Sequence, residues 1–386
     1  MMKTRRRSSD RISSLPQNII EAILTLMPIR DAIRTSILSK KWRYYWTTMP
    51  ELVFDHNLVQ SILGGEIWLK YKLVNAIFHV LLIHRGQATL KFELDVNKLG
   101  MTTELDQIIF SLSRRSNVKC LIIDTSDSFY KLPASFFLIQ GLESLKLLNC
   151  DFEPPLTING FKKLRNMSFY NVQVSSEVLQ HFLSSCPLLE KIVLGGYEEE
   201  YVEENSFTFV QLFQCVPLVH TLDISKYYMK YLVAGGMPNK LPTLLHLKDV
   251  SLDVCLREQD IISSVLCIIR SSPNLEALFF LMYDNENLPT QESSIKFVDL
   301  QDDLSLTLDH LTYFEIADFS NISFEMEFVK LILGKAPLLK IARIVLKDNV
   351  SVDEQVIILT DMIRLPFPRA SPSAQLIVER SKTEDS

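Results

Sequence analysis

At 386 residues, with 47% hydrophobic and 22% charged side chains, the chain has enough apolar material for more than one compact core or for a long solenoid. Its formal net charge of −6 excludes a general polyanion binder, and its longest uncharged apolar window, Leu73 to Ile83, is far below the roughly 20 residues that a membrane span needs. No secretory signal is visible and the six cysteines are scattered without a C-x-x-C pair. The expectation is therefore an intracellular protein, nuclear or cytoplasmic, whose thiols are mostly reduced core residues and which needs no cofactor or metal.

In chain order, residues 1–9 read as a disordered basic tail holding Lys3 and Arg5 to Arg7. Residues 10 to 46, DRISSLPQNIIEAILTLMPIRDAIRTSILSKKWRYYW, then hold three short helices' worth of apolar anchors. Leu15 and Pro16 open the first helix. Ile19, Ile23 and Met27 recur at i, i+4, i+8, and Ile20 and Leu24 widen that stripe, so one face is apolar. Pro28 stops this helix, Asp31 to Leu38 reads as a second, and Ser39 is a natural N-cap for a third that carries Trp42 and Trp46. So short a segment has too many Leu, Ile and Trp side chains for a private core. It reads as a docking module, with an ordinary helical cap on the next domain as the bland alternative.

This string resembles an F-box, assigned to residues 10–55. The resemblance implies docking on the Skp-type adaptor of a cullin-RING ubiquitin ligase. It also implies an adaptor-facing set: Leu15, Pro16, Ile19, Ile20, Leu24, Pro28, Ile29, Ala32, Ser36, Leu38, Ser39 and Trp42.

A repeat organises the rest. Before Pro187, Pro217, Pro273 and Pro337 stand the triplets Leu179, Phe182, Leu183; Phe209, Leu212, Phe213; Val265, Ile268, Ile269; and Val329, Ile332, Leu333, spaced as one helix face. After the same prolines stand Leu189, Ile192, Leu194; Val219, Leu222, Ile224; Leu275, Leu278, Phe280; and Leu339, Ala342, Ile344, spaced as a short strand with alternate residues inward. The frame without proline begins at Val118, Leu142, Leu164, Leu247 and Leu311, which gives nine units with starts 22 to 36 residues apart. Leu90, Phe92 and Leu94 suggest one further early strand, and Ala342 thinly fills an inward position of what reads as the last unit.

These units resemble leucine-rich repeats, which implies stacked strands in one curved parallel sheet with helices outside. From about Asp309 onward, FVKLILGKAPLLK at 328 to 340 and FPRASPSAQL at 367 to 376 resemble the FBD region at the C-terminus of plant F-box proteins. The fold class expected is α/β: a three-helix F-box, a leucine-rich-repeat solenoid over 56–308, and an FBD-like region with the final repeats over 309–386.

Strand residues that point away from the core would line the concave surface. Its central column reads Ile122, Lys146, Ser168, Val193, Asp223, Ser251, Phe279, Glu315, Arg343, and beside it run Tyr170, Gly195, Asp253 and Leu281 among others. Lys146, Tyr170, Asp223, Phe279, Glu315 and Arg343 are the candidates for holding a target protein, because mixed charge with aromatic anchors suits a protein surface, whereas nucleic acid would demand more Lys and Arg. Two acidic runs, Glu198 to Glu204 and Asp284 to Asp303, read as solvated loops. No spacing matches a phosphate loop, a nucleophile elbow, a metal site or a Cys-His pair, so no enzyme is expected. The resemblance implies a substrate receptor of an SCF-type ligase, working by proximity. A small-molecule or hormone receptor on the same scaffold, and an F-box protein that delivers nothing, stay open beside it.

Overall fold

The computed structural model describes residues 14–40, 42–64, 70–86, 90–96, 99, 101–125, 129–155, 160–196, 207–234, 240–284, 306–348, 350–364 and 369–380. The basic tail, the run Glu198 to Glu204 and all of the second acidic run after Asp284 lie outside the described residues. The chain divides into two compact units, Met1–Leu164 and Arg165–Ser386.

The first unit begins with α1 (Gln17–Thr25) and α2 (Ile29–Arg34), each entered through a proline at the N-cap position, Pro16 and Pro28. Only part of the expected three-helix pattern forms as α-helix. After Arg34 the chain tightens into a 3-10 turn at Thr35–Ile37, and the Trp42–Thr48 segment is also 3-10. Side-chain hydroxyls explain the tightening, since Thr35 Oγ1 donates to the Ala32 carbonyl at 2.6 Å and Thr47 Oγ1 to Tyr44 at 2.6 Å, each three residues back. Ser39 does cap that last segment, its Oγ accepting from the Trp42 N–H at 3.3 Å.

There follow β1 (Glu51–Phe54), α3 (His56–Leu63), α4 (Lys70–Ile83), β2 (Leu90–Asp95), α5 (Thr102–Ser113), β3 (Val118–Asp124), β4 (Tyr130–Lys131), β5 (Ser144–Leu148) and β6 (Cys150–Asp151). Strands β1, β2, β3 and β5 are parallel neighbours, and β4 pairs with β6 separately. The N-terminal helices are fastened to this sheet by backbone bonds, Arg85 N–H to Thr47 O and Lys91 N–H to Pro50 O, both 2.8 Å. Buried His84 adds a third tie: its Nε2 donates to the Met49 carbonyl at 2.8 Å. Phe136, Phe137, Phe152 and Phe161 meet edge to face and fill the far end of the unit.

The second unit alternates strand and helix: β7 (Asn166–Tyr170), α6 (Ser176–Ser184), β8 (Lys191–Gly195), α7 (Phe209–Cys215), β9 (Thr221–Ile224), α8 (Lys226–Ala234), β10 (Asp249–Val254), α9 (Gln259–Ser271), β11 (Ala277–Met282), β12 (Tyr313–Phe319), α10 (Ser323–Lys335), β13 (Ile341–Leu346), α11 (Val352–Arg364) and β14 (Gln375–Arg380). All its strand pairs are parallel and follow chain order. Every apolar triplet read from the sequence lands where the repeat demands. Met167, Ile192, Leu222, Val250, Leu278, Phe314 and Ala342 form one buried cross-strand row, and Phe169, Leu194, Ile224, Leu252, Phe280, Ile316 and Ile344 form the next. The helix triplets of α6, α7, α9 and α10 are buried too, and ring pairs such as Phe169 with Phe182 and Phe280 with Phe328 join strand to helix. The unit at Leu339 is not the last. β14 pairs with β13 beyond it, so the strand that carries Ala342 has neighbours on both sides.

Candidate functional site

Two surfaces carry the residues singled out above. On the N-terminal helices the structure splits the expected adaptor-facing set. Pro16, Ile19, Pro28 and Leu38 are exposed, and Leu15, Ser36 and Ser39 are partly so. Ile20, Leu24, Ile29, Ala32 and Trp42 are buried in the unit's own core, which corrects their placement on a partner-facing surface. Helix periodicity supplies the reason. Residues 20 and 24 share one face of α1, whereas 16, 19, 23 and 26 follow the 3-4-3 spacing of another, so the single apolar face inferred from Ile19, Ile23 and Met27 is really two stripes. The outer stripe also takes in residues that were not singled out for the surface: Ile23, Leu26 at 87% exposed, Ile37 at 86% and Tyr44. Ser36 Oγ donates to the Arg43 carbonyl at 3.1 Å and so holds the two 3-10 segments together beneath this patch.

The second surface is the strand face that points away from the helices. In the second unit the expected column is a true cross-strand row: Ser168, Val193, Asp223, Ser251, Phe279, Glu315, Arg343 and, on β14, Ile377 are register partners in turn. In the first unit Ile122 pairs with Lys146 in the same way, with Glu93 on the other side. One member departs: Val193 is buried and contributes no surface.

The six candidates differ in what holds them. Arg343 lies between two carboxylates, hydrogen-bonding Glu379 and lying 3.4 Å from Glu315, which in turn accepts from the Tyr313 hydroxyl. This network fixes Glu315 and Arg343 in place. Phe279 packs at 5.1 Å against the Tyr313 ring. Burial raises the Asp223 carboxyl above its usual range, although a hydrogen bond from Ser251 and the charge of Lys191 oppose the rise. Tyr170 lies over Gly195, whose missing side chain leaves it room, because a Cβ there would stand 2.5 Å from the ring. Lys146 is half-buried on β5.

Three of the six cysteines, Cys150, Cys186 and Cys255, are buried, and all six are unpaired. Burial pushes the Cys150 thiol up to about 12, so it is an inert core group.

Comparison with known proteins matches both regions. The F-box domain model matches residues 12–54, and the family described as FBD-associated F-box protein At5g56370, LRR repeats, matches residues 109–226. The F-box/FBD/LRR-repeat protein At1g13570 of Arabidopsis thaliana is 32% identical across 96% of this chain and 98% of its own length. The F-box/FBD/LRR-repeat protein At3g26920 of the same plant is 24% identical, over 87% of this chain and 75% of its own. A repeat sheet behind an F-box, with near full-length similarity of this kind, settles the family: the chain belongs to the F-box/FBD/LRR-repeat proteins.

Proposed function

We propose that this chain is the substrate-recognition subunit of an SCF-type cullin-RING ubiquitin ligase, with the F-box at 10–55 docking on a Skp-type adaptor, the repeats over 56–308 and the FBD-like region over 309–386 selecting a target protein. The observation that carries this reading is the outer stripe of Pro16, Ile19, Ile23 and Leu26 together with Ile37, Leu38 and Tyr44. Apolar side chains so exposed and so close in sequence mark a protein interface, because nothing within the folded F-box requires them outside.

Such a subunit works in the nucleus or cytoplasm. It needs no catalytic residue of its own, since holding a target beside a charged ubiquitin-conjugating enzyme raises the effective concentration of the reacting groups. Co-expression with a Skp-type adaptor and a cullin tests the reading: a stoichiometric complex by size exclusion, lost when Ile37 and Leu38 are both replaced by Asp, supports it. A chain that elutes alone in the wild type refutes it.

A further inference from the structure

Strand β11 reads Ala277-Leu278-Phe279-Phe280-Leu281-Met282, the unbroken apolar run of a strand buried on both faces. Only one face is buried. Leu278, Phe280 and Met282 point into the core, whereas Phe279 is half-covered and Leu281 is 45% exposed on the outward face. Tyr313 of β12, beside Phe279, widens this apolar strip.

Its flanks are acidic. Next to it, β10 turns Asp249 and Asp253 outward, register partners of Ala277 and Leu281, and β9 adds Asp223. Asp253 is raised above the usual carboxylate range by burial and further by the charge of Asp223, although the Lys226 N–H donates to it at 2.7 Å. On the other side Glu315 and Glu379 share the single Arg343. The outward strand positions of this unit thus hold Asp223, Asp249, Asp253, Glu315 and Glu379 against Lys191 and Arg343.

We propose that the β11 strip is the anchor site for a protein segment in which one large apolar side chain is flanked by lysines or arginines. Charge complementarity selects this occupant. The chain's own stretch 285–305, which follows β11, carries five acidic residues and one lysine, so the same carboxylates repel it. A basic segment is instead drawn to the site and gains affinity by seating its apolar residue on Phe279 and Leu281. The inference rests on the substrate-receptor reading only in taking that segment to be a degradation target.

The test is an array of short synthetic peptides with a central Phe or Leu flanked by Lys and Arg, by Asp and Glu, or by Ser, probed with the full chain. Retention of the basic-flanked set, weakened by raised salt and reduced about tenfold or more by Leu281→Gln or by Asp249→Asn, is the expected result. Equal retention of all sets, retention of none, or indifference to both substitutions would overturn the proposal. Adaptor capture by the Leu281→Gln chain separates the two readings: if capture persists while the array fails, only the peptide site falls, and if capture fails in the wild type while the array succeeds, only the ligase reading falls.

Discussion

Ile19 and Ile20 are neighbours in sequence and lie on opposite sides of the F-box: Ile20 is wholly buried, and Ile19 is 44% exposed. The separation of roughly 100° per helical residue turns one isoleucine into core and the next into interface. Their substitutions should therefore separate cleanly. Ile20→Ala should cost about 2–5 kcal/mol, a buried cavity, and Ile19→Ala well under about 1 kcal/mol. Denaturant unfolding of the two variants, followed by tryptophan fluorescence from Trp42 and Trp46, measures the difference; equal losses would contradict the placement of α1.

Trp42 belongs with Ile20. Its side chain is buried and stacks edge-on against Tyr45 at 6.2 Å, so Trp42→Ala should loosen the F-box itself, at about 3–5 kcal/mol, rather than remove a contact from a folded surface. Loss of adaptor binding in that variant should come with faster amide hydrogen exchange across α1 and α2. Protected amides with binding lost would instead put Trp42 in the interface.

Two buried titrating groups give the units opposite responses to acid. Burial, first, and the nearby Arg115 lower the His84 imidazole below its ordinary 6.5, although its bond to the Met49 carbonyl opposes this. Below about pH 6.5 the unfolded chain takes up a proton that the folded histidine resists, so the first unit should lose stability as pH falls through that value. Burial raises Glu325 from 4.5 to about 7, even with the Ser320 N–H donating to it at 2.8 Å. Between those values the folded state keeps a proton that the unfolded chain has released, so the second unit should lose stability as pH rises from about 4.5 to 7, by up to about 3 kcal/mol. Hydrogen exchange at pH 5 and pH 7, compared unit by unit, reads both trends. Glu325→Gln should flatten the second and leave the first.

Gly195→Ala should force the Tyr170 ring aside and cost about 1–3 kcal/mol, because its new Cβ would meet the ring at 2.5 Å. In the Tyr170→Ala background the same change should cost almost nothing. A double-mutant cycle by thermal unfolding checks this, and additive losses would show that the ring does not fill that space.

The repeat was legible from sequence because its signal is redundant. Inward residues such as Leu222 and Ile224 must be apolar at fixed spacing in every unit, and the outward row through Asp223 and Arg343 follows from that frame. β1 and β14 escaped notice because they lie outside the triplet pattern, and Leu376 and Val378 of β14 are only half-covered. The F-box surface was harder. Apolar residues on α1 serve both core and partner, so composition names the helix without saying which stripe faces which way. Gly195 beneath Tyr170 and His84 against Met49 depend on contacts distant in sequence or across strands, for which a linear pattern holds no signal.

The most direct measurement is the affinity of the purified full chain for a Skp-type adaptor, wild type beside Ile23→Asp combined with Leu26→Asp. The outer stripe predicts tight wild-type binding, weakened about a hundredfold or more in the double variant, with an unchanged melting temperature because both side chains are exposed. Equal affinities in two equally folded proteins, or no binding by the wild type, would contradict it.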